Sequence, residues 1–127
     1  MASYIEPKIV SILSDYDFSA KQYYFCKIGS ADNIVTLCGS GEKAIGIVMN
    51  KPTSGQVAEV ALPGGGALIK TGEAIEVGKY ICSTAAGIGE KANTAGDHVA
   101  AFSVEAGDSG DIISVLVTCF EAYNAEA

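Results

Sequence analysis

Gly41-Glu-Lys-Ala-Ile-Gly-Ile-Val-Met-Asn-Lys-Pro-Thr-Ser-Gly-Gln-Val-Ala-Glu-Val-Ala-Leu62 lies over Gly96-Asp-His-Val-Ala-Ala-Phe-Ser-Val-Glu-Ala-Gly-Asp-Ser-Gly-Asp-Ile-Ile-Ser-Val-Leu-Val117 without a gap. Gly41 meets Gly96, Gly55 meets Gly110, Val57 meets Ile112, Val60 meets Val115 and Leu62 meets Val117. The shared content is a pattern: short apolar strand, glycine turn, short apolar strand. It describes a β scaffold built twice. Tyr24-Phe-Cys26 also resembles Tyr80-Ile-Cys82, at an offset one residue longer. Two such halves close into a barrel or a sandwich, which hides strand edges.

The rest of the chain agrees. Fifteen glycines, three prolines and many β-branched residues read as short strands and tight turns. Strands are expected at Ile9–Leu13, Gln22–Ile28, Ile34–Cys38, Ala44–Met49 and Val57–Leu62. They resume at Ala67–Lys70, Tyr80–Ser83, Val99–Val104 and Ile112–Phe120. Ser19-Ala-Lys-Gln22 has the form of a capping box and reads as one helical turn or a simple turn. Pro63-Gly-Gly-Gly66 reads as a turn, and Ala85–Gly96 as an exposed loop. No long segment has helical periodicity. The expected fold is mainly β, a compact barrel or sandwich of two similar halves with at most one or two short helical turns. Residues 9–120 form the domain, residues 1–8 a flexible arm, and residues 121–127 a tail.

Composition narrows the function. At 127 residues the chain fits one domain. Charged residues are only 18%, so other subunits are expected to cover much of the surface. The net charge is −7, and all eight basic residues are lysines. Without arginine, the side chain best suited to phosphate and base edges, nucleic acid is not an expected partner. No apolar run approaches the roughly 20 residues of a membrane span, so no membrane partner is expected. The first seven residues lack the basic and apolar regions of a signal peptide, so synthesis and residence in the cytoplasm are expected. Cys26, Cys38, Cys82 and Cys119 form no CxxC pair, and the only histidine, His98, is near none of them in sequence. They read as reduced, packed thiols, with no metal site.

Several motifs invite an enzymatic reading. Gly107-Asp-Ser-Gly-Asp111 is similar to the nucleophile segment of trypsin-like proteases, with His98 as the one available base. The repeat places it over Pro52–Gln56, a turn, so no catalytic residue is assigned. Gly41-Glu-Lys-Ala44 and Gly89-Glu-Lys-Ala92 are similar to lipoyl-lysine hairpins but are out of register with the repeat. They read as solvated turn lysines. Pro63–Gly66 lacks the Lys-Ser/Thr ending of a phosphate loop. Glu73/Glu76 and Asp108/Asp111 read as solvated turn carboxylates. No cofactor is expected, and the protein is not expected to be an enzyme.

Four segments carry a family resemblance. They are Ser19-Ala-Lys-Gln-Tyr-Tyr-Phe-Cys-Lys-Ile28, Ala44-Ile-Gly-Ile-Val-Met-Asn-Lys-Pro52, Gly55-Gln-Val-Ala-Glu-Val60 and Ala74-Ile-Glu-Val-Gly-Lys-Tyr80. Their run resembles the decoration (cement) proteins of tailed-phage capsids over about residues 9–118. Gly55-Gln56 and Gly78-Lys79 depart from that family's commoner Gly-Asp at turn positions. The resemblance implies a homotrimer on the outer surface of the expanded head, bridging major capsid subunits within the virion. The expected capsid-binding residues are the arm Ala2, Ser3, Tyr4, Ile5, Glu6, Pro7 and Lys8, then Asn50, Lys51 and Pro52. Tyr23 and Tyr24 are the expected trimer contacts. A tail or host-adhesion module is the alternative within the virion.

Overall fold

A computed structural model describes residues 7–92 and 96–118. Ten strands follow one another: β1 (Ile9–Ser14), β2 (Phe25–Ile28), β3 (Ile34–Leu37), β4 (Gly46–Val48), β5 (Val57–Ala61), β6 (Gly66–Lys70), β7 (Tyr80–Ser83), β8 (Gly89–Lys91), β9 (Ala101–Ser103) and β10 (Ile112–Val117). The described residues contain no helix. The expected fold class is therefore found.

The first five strands close into a barrel in the order β1-β3-β2-β4-β5. We call it lobe one. The other five form a sheet in the order β6-β10-β9-β7-β8, which we call lobe two. Under the substitution β1→β6, β2→β7, β3→β8, β4→β9 and β5→β10, four of the five strand pairings are kept. In lobe one the ring is closed by the parallel pair β1–β3, which joins Leu13 to Ile34 and Ser14 to Val35. In lobe two the ends of the sheet touch at one parallel bridge, Thr71 to Gly89.

The register is duplicated as well. Ile47 pairs with Ala61 and Val48 with Val60; Phe102 pairs with Leu116 and Ser103 with Val115. These pairs superimpose at the offset read from the sequence repeat. Phe25 opposite Ile47 becomes Tyr80 opposite Phe102 at the same offset. Phe25 thus matches Tyr80, and Cys26 matches Ile81. The longer offset expected from Tyr24–Cys26 and Tyr80–Cys82 does not hold. Backbone pairing sets the equivalence, and a one-residue slip would turn the wrong face inward.

Loop hydrogen bonds repeat too. Phe18 N–H donates to Pro52 O at 2.7 Å, and Ile75 N–H to Gly107 O at 2.9 Å. Tyr23 N–H donates to Val48 O at 2.7 Å, and Gly78 N–H to Ser103 O at 2.9 Å. Tyr23 has φ 71 and Gly78 has φ 81. The left-handed turn at Tyr23 is why the strand expected from Gln22 starts only at Phe25. Ser19–Gln22 is a simple turn: Ser19 N–H donates to Asp17 Oδ1, and Lys21 N–H to Phe18 O.

The expected loop Ala85–Gly96 contains β8. Gly89-Glu-Lys91 lacks β-branched residues, and pairing with β7 makes it a strand. Lys91 therefore sits on a strand, 3.8 Å from Glu76, rather than in a turn.

Two cores result. Phe18, Cys26, Val35, Val48, Ala58 and Val60 fill lobe one. A second cluster joins Phe25, Ile47 and Ala61 of lobe one to Ile69, Ile81, Ile113 and Val115 of lobe two. The two lobes share this apolar layer and are one unit. The first six residues of the expected arm, and the tail 121–127, lie outside the described residues.

Candidate functional site

The motif that most resembled a catalytic segment is structural. Asp108 and Asp111 close a turn, with Asp111 N–H donating to Asp108 O and Asp108 N–H donating to Asp111 Oδ2. Gln56 N–H and Thr53 O, with Thr53 N–H and Gln56 Oε1, repeat it in lobe one. Gly55 and Gly110 both have φ 89. Ser109 Oγ donates to Gly72 O at 3.1 Å. His98 is held elsewhere, its N–H donating to Gly41 O at 3.1 Å. Burial, and then Lys43, lower the His98 pKa. At Lys79, the backbone N–H donates to Ser103 Oγ at 2.8 Å.

The thiols read as packed apolar groups are buried at Cys26, Cys38 and Cys82. Cys119 lies outside the described residues. Burial, then Asp97 and Glu90, push the Cys82 thiol up to about 12, so it stays protonated at neutral pH. Burial and the charges of Glu73 and Asp97 raise Glu90. Among the described residues no group of three or more His, Cys, Asp or Glu side chains is arranged to hold a metal ion.

The residues expected to bind partners are placed as follows. Ala2 to Glu6 lie outside the described residues. Pro7 is half-buried and Lys8 exposed, and Lys8 O accepts the Leu62 N–H. Asn50 uses its amide internally, donating to Val57 O and accepting from Glu59 N–H. Pro52 is buried, and Lys51 alone of the three is fully presented. Tyr23 and Tyr24 are half-buried beside the joint between the lobes. Tyr23 O accepts the Lys70 N–H at 3.0 Å, and Lys21 Nζ lies 5.2 Å from the Tyr24 ring centroid.

That joint is the most specific surface in the molecule. From lobe one come the cross-strand row Phe25, Ile47 and Ala61, all fully buried, and the loop Cys38–Gly41. Lobe two receives them. Gly87 O accepts the Phe25 N–H, Ser83 O accepts the Gly41 N–H, and Ser83 Oγ reaches Cys38 O. A Cβ on Gly87 would meet Leu37 at 2.6 Å and Tyr24 at 3.4 Å, so only glycine fits there. The same row in lobe two, Tyr80, Phe102 and Leu116, is partly exposed. Tyr80 is 45% and Leu116 36% exposed, and the Tyr80 and Phe102 rings lie 5.4 Å apart. Sequence alternation alone could not find this row. Its three members come from three strands and are juxtaposed only by the register.

A pair of curled five-stranded lobes sharing one apolar layer defines the class of fold. A particular solved structure is similar in fold: the head fibre gp8.5 N base of bacteriophage phi29 matches over 95% of this chain and 100% of its own. The TM-score is 0.66 and the identity 12%. At that identity the likeness is one of fold. No protein-family model and no curated protein matches the chain.

Proposed function

We propose that this protein is a virion component of a phage head. In this reading it is a non-enzymatic decoration protein. It binds the outer surface of the expanded head as a homotrimer and bridges major capsid subunits. The observation that carries the reading is the whole-length likeness to a phage head fibre base. Supporting it is the resemblance of residues 9–118 to phage decoration proteins, carried by sequence motifs. The arginine-free composition and net charge of −7 favour the outside of the shell over the packaged genome. The docking elements proposed are the arm from Ala2 to Lys8 and the loop at Asn50–Pro52, with Lys51 its exposed member. Tyr23 and Tyr24 are the proposed trimer contacts from this reading. The mechanism is linkage: a ligand that binds only the assembled, expanded lattice stabilises it, and many weakly bound copies add up.

The test is electron microscopy of expanded heads and unexpanded precursors, each incubated with the purified protein. Expanded heads should gain density on their outer surface and survive higher temperature, while precursors gain none. Heads that gain no density in either state would overturn the reading. A second reading follows from the neighbour's being a fibre base: the protein anchors a fibre to the head. Fibres that disappear from virions lacking the protein would favour it.

A further inference from the structure

We propose that Tyr80, Phe102 and Leu116 form a copy-to-copy contact besides that of Tyr23 and Tyr24, and that they dock on lobe one of a second copy in the way Phe25, Ile47 and Ala61 dock on lobe two inside the chain. The inference deepens the homotrimer reading and rests on it for the number of copies.

The joint supplies a template. Its donor side has exact register equivalents on lobe two. Phe25 opposite Ile47 corresponds to Tyr80 opposite Phe102, and Ile47 opposite Ala61 to Phe102 opposite Leu116. The first row is fully buried, whereas Tyr80 and Leu116 are among the exposed large apolar residues. An aromatic pair with a leucine on a sheet face is costly to leave in water, at about 25 cal/mol per Å² of apolar surface.

The receiving side also has equivalents, on lobe one. Ser83 corresponds to Ile28, because Ile28 faces Val35 as Ser83 faces Gly89. Ser83 is buried by the loop from lobe one, whereas Ile28 is 55% exposed. Lys70, which donates to Tyr23 O, corresponds to Leu13, which is 42% exposed. Gly87, the acceptor for Phe25, corresponds to Asn33. Both are left-handed, with φ 84 and φ 58, so the backbone turn is the same. Lys27, Ile28, Glu42, Lys43 and Ile45 line a shallow groove there. The chain thus carries an exposed counterpart of each half of the joint, donor on lobe two and receiver on lobe one.

Charge selects this pairing over a self-contact. Lobe one, Lys8 to Leu62, holds five lysines and five carboxylates. Lobe two, Gly65 to Thr118, holds three lysines and seven carboxylates, a net of −4. Facing lobe two with another lobe two would set like charges together, which is costly. Facing it with lobe one, which carries no net charge, does not, and it brings Lys43 to the acidic lobe beside the Lys27–Glu42 ion pair. Such a contact is heterologous, and it ends in a ring when the rotation closes. Three copies in a ring make six lobes joined by six similar joints.

The test is light scattering with folding checked by circular dichroism, on the wild type, Tyr80→Lys, Leu116→Glu and, on the receiving side, Ile28→Glu. The expected result is a wild-type trimer and folded variants of roughly one-third that mass. Photo-crosslinking from benzoylphenylalanine placed at position 116 reads the same contact without a disruptive charge. Its crosslinked peptides should come from lobe one of another copy. Folded variants that remain trimers, or crosslinks that map to lobe two, overturn the interface while leaving a trimeric decoration protein intact. A wild-type monomer overturns both the interface and the trimer, and head binding then stands or falls by its own test.

Discussion

At the scale of single residues, duplication gives each position an internal control. Tyr23 and Gly78 hold the same left-handed turn, and Asn33 and Gly87 hold another. A side chain in this region costs about 1–2 kcal/mol, which Asn tolerates best and Gly escapes. Nothing lies within 4 Å of a Cβ built on Gly78. Gly78→Ala therefore isolates the backbone cost, and it should lower stability by about 1 kcal/mol in urea unfolding with an unchanged m-value. An unchanged midpoint would show that the turn is not held. Glu90 offers a second test. Burial, then Glu73 and Asp97, raise its pKa above that of the unfolded chain. The folded state therefore holds this proton more tightly and is penalised at neutral pH. The penalty fades as pH falls through the folded pKa toward the ordinary carboxylate value. Glu90→Gln should raise Tm at pH 7 and leave it unchanged near pH 4. The gain is small, since Glu90 is only half-buried and solvent screens it. A Tm gain that is equal at both pH values would point to packing instead.

At the scale of elements, the turn before each inner strand plugs one end of its lobe. Phe18 and Ile75 are equivalent, and each N–H reaches the loop that precedes the fifth strand of its lobe. Phe18 is fully buried, with its ring 5.0 Å from Tyr16. Phe18→Ala should cost about 3–5 kcal/mol by calorimetry, because the cavity opens at a closed end that cannot collapse. A loss below 1 kcal/mol would mean that the plug is loose. Elements are also where the sequence was most and least readable. Ile112–Val117 and Val57–Ala61 were legible because β-branched residues run along them between glycine turns. Gly89–Lys91 was hidden, since a strand of glycine, glutamate and lysine has no local signature and exists only through Ile81–Ser83. The offset between Tyr24–Cys26 and Tyr80–Cys82 misled for a related reason. Matching side-chain types are weaker guides than hydrogen-bond register, which the linear chain does not display.

At the scale of the whole molecule, the doubling announced by Gly41–Leu62 and Gly96–Val117 extends to all ten strands. The sequence carried the second half of each copy plainly. The first half was obscured, because β1 and β6 lie at a different offset from the rest and share little beyond apolar alternation. The exposed row on lobe two was illegible for the same reason. It became visible only when its buried counterpart on lobe one had been located. The two ends of the described fold carry a last consequence. Gly64 N–H donates to Val117 O at 3.1 Å, and a Cβ on Gly64 would lie 3.3 Å from the Lys8 side chain. Lys8 and Val117 therefore meet at one linker, between the lobes. A pull applied between Lys8 and Val117 would load the linker contacts at Gly64 first.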